Sequence, residues 1–242
     1  FYESKKLWYM YDNLENKQNL YGRGFTMYGK IKSNLYSEIT NIPELIKDKF
    51  FDKIIYGSVW RCIDYLDLVV LSYSKNDIIF IDGEDVPTIK NEFINKGLYF
   101  KREYYEKIDG VNPINFGIPE ELVLDNIKDK TKLISDIIPN SNQNYSYNNE
   151  LDYYNEYSTS WYAITRKKGG WDCLRHYEIM MNGCVPLFED LDKCPNLTLT
   201  SLPKKELIEM FKYKEPNMEY NNFILDYTRK NLTTKNLIKK II

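Results

Sequence analysis

Apolar positions past residue 50 fall into two alternating spacings. Residues 53–57 are a short apolar run of the kind that forms a buried strand, and residues 61–73 carry Ile63, Leu66, Val70 and Tyr73 at helical intervals. Residues 77–81 are a second β-branched run. A strand, a helix and a strand in about 30 residues predict a βαβ unit with a right-handed crossover. Residues 98–104 predict a further strand that exposes Lys101, Arg102 and Glu103, and residues 112–119 return to extended, proline-bounded chain. Before residue 50 the sequence is mixed and aromatic. Its Gly22, Gly24 and Gly29 mark a loop or short strands, and Gly22-Arg23-Gly24 is too short for a phosphate-binding fingerprint.

The second half repeats the alternation. Residues 132–138 read as a strand, 139–149 as a polar surface loop rich in Asn and Ser, 150–157 as a helix and 161–165 as a buried strand. The basic turn Lys167-Lys168-Gly169-Gly170 follows. Residues 171–182 then place Leu174, Tyr177 and Met181 at helical spacing, with Gly183 where a left-handed C-terminal cap belongs, and residues 185–188 form the next strand. The run from 132 to 188 is therefore βαβαβ, half of a doubly wound nucleotide-binding domain. Beyond it, 197–202 predicts a strand, 204–211 and 222–230 predict helices, and 233–242 is a basic amphipathic tail. Asn112-Pro113, Gly117 and Pro119 interrupt the regular pattern, predicting an N-terminal lobe over residues 1–118 and a C-terminal lobe over 119–242. The fold class read from the pattern is α/β, with two Rossmann-like lobes.

On the helix predicted for 171–182, offsets of three and four residues put Trp171, Arg175, Glu178 and Asn182 on one face. A helix start freed by Gly169 and Gly170, and backed by Lys167, Lys168 and Arg175, is a seat for an anionic group such as a diphosphate. Glu178, further along, suits ribose hydroxyls. The plainer account is an ordinary exposed ion pair beside a glycine turn, and spacing alone does not separate the two.

Composition narrows the field. The chain has 242 residues, 43% hydrophobic and 28% charged, with a formal net charge of -2 and a pI near 5.7. That is a sequence able to bury a core. It lacks the basic field expected of a nucleic-acid binder. No run is apolar enough for a membrane span. Cys62, Cys173, Cys184 and Cys194 contain no C-x-x-C pair, which points to reduced thiols and a cytoplasmic setting. His176 is the only histidine, so no histidine metal cluster is expected; it reads as a packed helix residue pointing off the loaded face, with contact to phosphate or acceptor as the alternative.

Arg175, Glu178, Gly183, Cys184 and Pro186 form the frame R-x-x-E-x-x-x-x-G-C-x-P. This frame resembles the donor-binding segment of exostosin-like and related viral glycosyltransferases of the GT-B fold. Trp171-Asp172-Cys173, Cys194-Pro195 and Thr233-Thr234-Lys235 also look like members of this group. The resemblance implies a reduced-size GT-B enzyme with the nucleotide-sugar donor in the C-terminal lobe, Arg175 on the diphosphate and Glu178 on the ribose. It implies a glycan or glycoprotein acceptor on the N-terminal lobe.

The stretch Asp82-Gly83-Glu84-Asp85 ends a predicted strand, where ligands gather in α/β sheets. Asp85, Glu84 or Asp82 would supply the general base for an acceptor hydroxyl. A solvated acidic turn is the competing account. Lys101 and Arg102 are further candidates for phosphate or acceptor contact. The cationic helix start makes a divalent metal or other cofactor unnecessary in this reading. Against it stands Asp190-Leu191-Asp192, a D-x-D after a strand, as in metal-dependent GT-A enzymes. A non-catalytic module that binds a sugar nucleotide or glycan is the third expectation.

Overall fold

The computed structural model describes residues 41–139, 147 and 150–241; the Gly22 to Gly29 stretch and most of the 139–149 loop lie outside the described residues. The chain divides into two compact units at the junction of Ile114 and Asn115. Each is α/β and built on a parallel sheet.

In the first unit, helix α1 (Ile42–Lys47) precedes strands β1 (Ile54–Tyr56), β2 (Ile78–Asp82), β3 (Leu98–Lys101) and β4 (Val111–Pro113), which pair in that order, all parallel. Ile78, Ile79 and Phe80 are all buried, as a central parallel strand requires. Helix α2 (Leu66–Ser72) makes the β1–β2 crossover and is shorter than the periodicity predicts, because Tyr65 just before it is left-handed (φ 59°). The β2–β3 connection contains only a 3₁₀ turn, Asn91–Phe93. Phe93 packs on Phe80 at 4.8 Å between ring centroids, and Phe80 stacks on Tyr56 at 5.3 Å. These aromatics cover the sheet where a crossover helix would otherwise lie. The backbone approaches so closely at Gly97 that a Cβ would lie 2.5 Å from the Ile78 carbonyl oxygen.

In the second unit, β5 (Lys132–Ile134), α3 (Glu150–Ser158), β6 (Ser160–Thr165), α4 (Leu174–Met181) and β7 (Val185–Phe188) form the expected βαβαβ run, with all strands parallel and β6 central. Gly183 closes α4 at φ +60°, where a Cβ would meet Ile127 Cδ1 at 2.2 Å. Helices α5 (Lys204–Lys212), α6 (Met218–Asn231) and α7 (Thr234–Ile241) complete the unit. Asn217 caps α6 by accepting from the Glu219 and Tyr220 amides at 3.0 and 3.3 Å. Asn221, buried on α6, donates to the carbonyls of Trp161 and Gly183 and so ties the helix to β6 and to the α4 cap.

Three local expectations are corrected. Residues 197–202 are turns, with Leu199 left-handed at φ 52°, and Asn115 Oδ1 accepts from Thr200 Oγ1 and the Ser201 amide. Strand β3 ends at Lys101, and Lys101, Arg102 and Glu103 are buried instead of exposed. Helix α4 begins at Leu174, three residues later than predicted, so Trp171 is not on it.

Candidate functional site

The loop from Arg166 to Cys173 joins the carboxyl end of β6 to α4, and tertiary bonds fix it at several points. His176 Nδ1 and Thr165 Oγ1 are 2.9 Å apart, and His176 Nε2 donates to the Trp171 carbonyl at 2.9 Å. A carbonyl only accepts, so Nε2 carries a proton. The ring is fully buried and lies 4.3 Å from that of Phe188. His176 therefore clamps the loop from beneath. Asp172 Oδ2 accepts from the Phe116 amide at 3.1 Å and Asn115 Nδ2 at 3.4 Å. These bonds hold residues 171–173 out of helical geometry and delay the start of α4. The Lys168 amide bonds to the Gly170 carbonyl at 3.0 Å, closing the glycine turn.

Above these anchors Lys167, Lys168 and Gly169 are exposed, whereas Gly170 and Trp171 are buried. Lys167 Nζ lies 5.3 Å from the Trp171 ring centroid. Arg175 is in the first turn of α4. The structure thus sets Lys167, Lys168, the glycine turn and Trp171 between the end of β6 and the start of α4, with Arg175 buried in the first turn of the helix. Positive charge there adds to the helix dipole.

Glu178 faces inward. It is buried, and its Oε2 accepts from Tyr153 Oη on α3 at 2.9 Å; Tyr153 and Tyr157 hydroxyls lie 3.3 Å apart. Burial pushes its carboxyl up to about 7, against the Tyr153 bond and the Arg175 charge, which pull it down. The same burial holds both tyrosine hydroxyls well above their ordinary range. Asn182, expected on the loaded face, instead donates to the Glu178 backbone carbonyl at 2.8 Å. Arg175 to Met181 are all buried, so α4 carries its charged stripe into the interior and not onto a solvated surface. Tyr153 and Tyr157 were not anticipated. Their i, i+4 spacing on one helix was the available signal.

In the first unit, Asp82 and Lys101 have no solvent exposure, and Lys101 Nζ donates to Asp82 Oδ1 at 2.8 Å. Tyr99 Oη donates to Asp82 Oδ2 at 2.6 Å and the Glu84 amide to Oδ1 at 3.2 Å. Asp82 is thus a saturated acceptor tying β2 to β3. Arg102 donates to the Gly83 carbonyl from Nε and Nη2, at 2.9 and 2.7 Å, and pairs with Asp85. It also reaches Glu103 Oε1 at 3.4 Å. Lys101 and Arg102 are therefore engaged within the unit. Glu84, with Arg61 at 3.3 Å, and Asp85 remain open to solvent in part.

Asp190 Oδ1 pairs with Lys193 Nζ at 2.7 Å, and Asp192 lines a separate depression with Asn196, Thr200, Lys204 and Tyr227. Among the described residues, no three His, Cys, Asp or Glu side chains cluster in a way that would hold a metal ion, and no helix is long and apolar enough to cross a membrane. No protein-family model, curated protein or solved structure matches the chain.

Proposed function

We propose that this protein is a glycosyltransferase of reduced GT-B type that binds a nucleoside-diphosphate sugar on its C-terminal unit. The observation that carries the reading is the cationic glycine loop of Lys167 and Lys168 with Arg175, set between the carboxyl end of the central parallel strand and the start of α4. Ligands of open α/β sheets sit outside the strands' carboxyl ends. In this reading Lys167, Lys168 and Arg175 hold the diphosphate, with backbone amides of Gly169 and Gly170. Trp171 is the platform that orients Lys167, and a ribose hydroxyl takes the place of Tyr153 Oη on Glu178.

The reaction breaks the bond between the anomeric carbon and the phosphate oxygen, and its electron pair leaves on the nucleoside diphosphate. The acceptor oxygen forms the new bond and gives its proton to a carboxylate. Fixed cations stabilise the charge growing on the leaving group without reorganisation. Asp82 is saturated, which leaves Asp85 and Glu84 as the carboxylates of this turn that are open in part to solvent. A second reading, a sugar-nucleotide-binding module without transfer, is favoured by the engagement of all three carboxylates of this turn.

Thermal unfolding against UDP-, GDP- and dTDP-sugars, each with magnesium and with EDTA, tests the proposal. At about 100 times Kd, ligand adds about 2.7 kcal/mol, a rise of about 5–11 °C for a chain of this size. A shift persisting in EDTA and abolished by Arg175→Ala is expected, with sugar transfer to a glycan. A magnesium-dependent shift would favour Asp190 and Asp192, a shift without transfer would favour the binding module, and no shift refutes both donor readings.

A further inference from the structure

The loops after β1 and β2 carry a set of side chains that the donor site does not use. Trp60 is 40% exposed although it is a large aromatic, and Lys90 Nζ sits 4.5 Å from its ring centroid while donating to the Val59 carbonyl at 3.4 Å. The Trp60 indole is thus held from one side by a cation that is itself anchored. The next residue, Arg61, pairs with Glu84 at 3.3 Å, and the adjacent Asp85 is 59% exposed while paired with Arg102. One residue past each strand, Gly57 and Gly83 face open space: a Cβ at either would meet nothing within 4 Å.

We infer that the carboxyl edge of the first unit's sheet is a binding site for an uncharged saccharide, with Trp60 as the stacking platform and Arg61, Glu84 and Asp85 as its polar contacts. An indole face packs on the C–H face of a sugar ring, while carboxylates and a guanidinium supply the fixed acceptors and donors that hydroxyls need. The charge balance selects the class. Arg61 and Lys90 offset Glu84 and Asp85, and beneath them Lys101 and Arg102 offset Asp82 and Glu103. With Asp64 of the β1 loop included, the edge has no net positive charge and gives no advantage to a phosphate, a uronic acid or a nucleic acid. The inference deepens the transferase reading by naming its acceptor as a neutral glycan, and its test uses no nucleotide, so either can fail alone.

The probes are maltotetraose, cellotetraose, xylotetraose, mannotetraose and tetra-N-acetylchitotetraose, with an acidic galacturonic acid tetramer for comparison. Binding is followed by saturation-transfer NMR and calorimetry on the whole chain. At least one neutral probe should bind with a Kd below about 10 mM, a weak affinity suited to a single subsite. Trp60→Ala should weaken it by about tenfold or more. Gly83→Leu, which fills the open space without touching the platform, should do the same with an unchanged unfolding midpoint, and Arg175→Ala should leave it intact. No neutral probe binding at about 10 mM, a preference for the acidic tetramer, or full affinity in both Trp60→Ala and Gly83→Leu would each overturn the inference.

Discussion

Replacing Glu178 by Gln removes a charge that the interior of the second unit accommodates poorly. Burial raises the Glu178 carboxyl from an ordinary 4.5 to about 7, while the Tyr153 hydroxyl and the Arg175 guanidinium only partly oppose it. The folded state therefore holds a proton that the unfolded chain has already released. Stability falls as pH rises wherever the folded state binds more protons. The Glu178 contribution is thus fully present below about 4.5, is lost between 4.5 and about 7, and does not change further above 7. At about 1.4 kcal/mol per pH unit the loss is about 3 kcal/mol, with no discount for solvent because the group is enclosed. Gln mimics the protonated acid and still accepts from Tyr153. Urea unfolding of both proteins from pH 4.5 to pH 8 should show Glu178→Gln gaining about 3 kcal/mol on the natural protein across that range. Comparing the two cancels every other titrating group, and a constant offset from the new amide leaves the slope untouched. A difference that stays flat within about 0.5 kcal/mol would refute the reasoning, because Glu178 would then titrate alike folded and unfolded.

Gly183→Ala should cost at least about 2 kcal/mol in urea unfolding, since the residue is left-handed and its new methyl meets Ile127 Cδ1 at 2.2 Å. Gly57→Ala, with open space and ordinary backbone, should be neutral or stabilise by about 0.5 kcal/mol; equal effects at the two sites would contradict this account. Asp82→Asn should cost about 3–5 kcal/mol by stranding the Lys101 ammonium, and adding Lys101→Met should recover much of that loss. A double variant no more stable than Asp82→Asn would show that the pair is not what makes the single change costly.

Local pattern carried the architecture, because strand and helix periods are written in neighbouring residues. The buried runs read at 77–81 and 185–188, the helical spacing of Leu174, Tyr177 and Met181, and the left-handed cap at Gly183 were all legible, and they suffice for an α/β pattern in each half of the chain. The cationic loop at 167–170 was legible too, as glycine and lysine between two apolar runs. Only the tertiary structure decided where polar side chains point. Nothing near Lys101 in sequence says that Asp82 and Tyr99 will enclose it, and nothing near Glu178 says that Tyr153, 25 residues earlier, will donate to it. Likewise Trp171 leaves the helix because Asn115, Phe116, Thr165 and His176 engage the chain around it. Periodicity separates buried faces from exposed ones at short range; which charge meets which partner depends on strand order and helix placement, and these are set by contacts far apart along the chain.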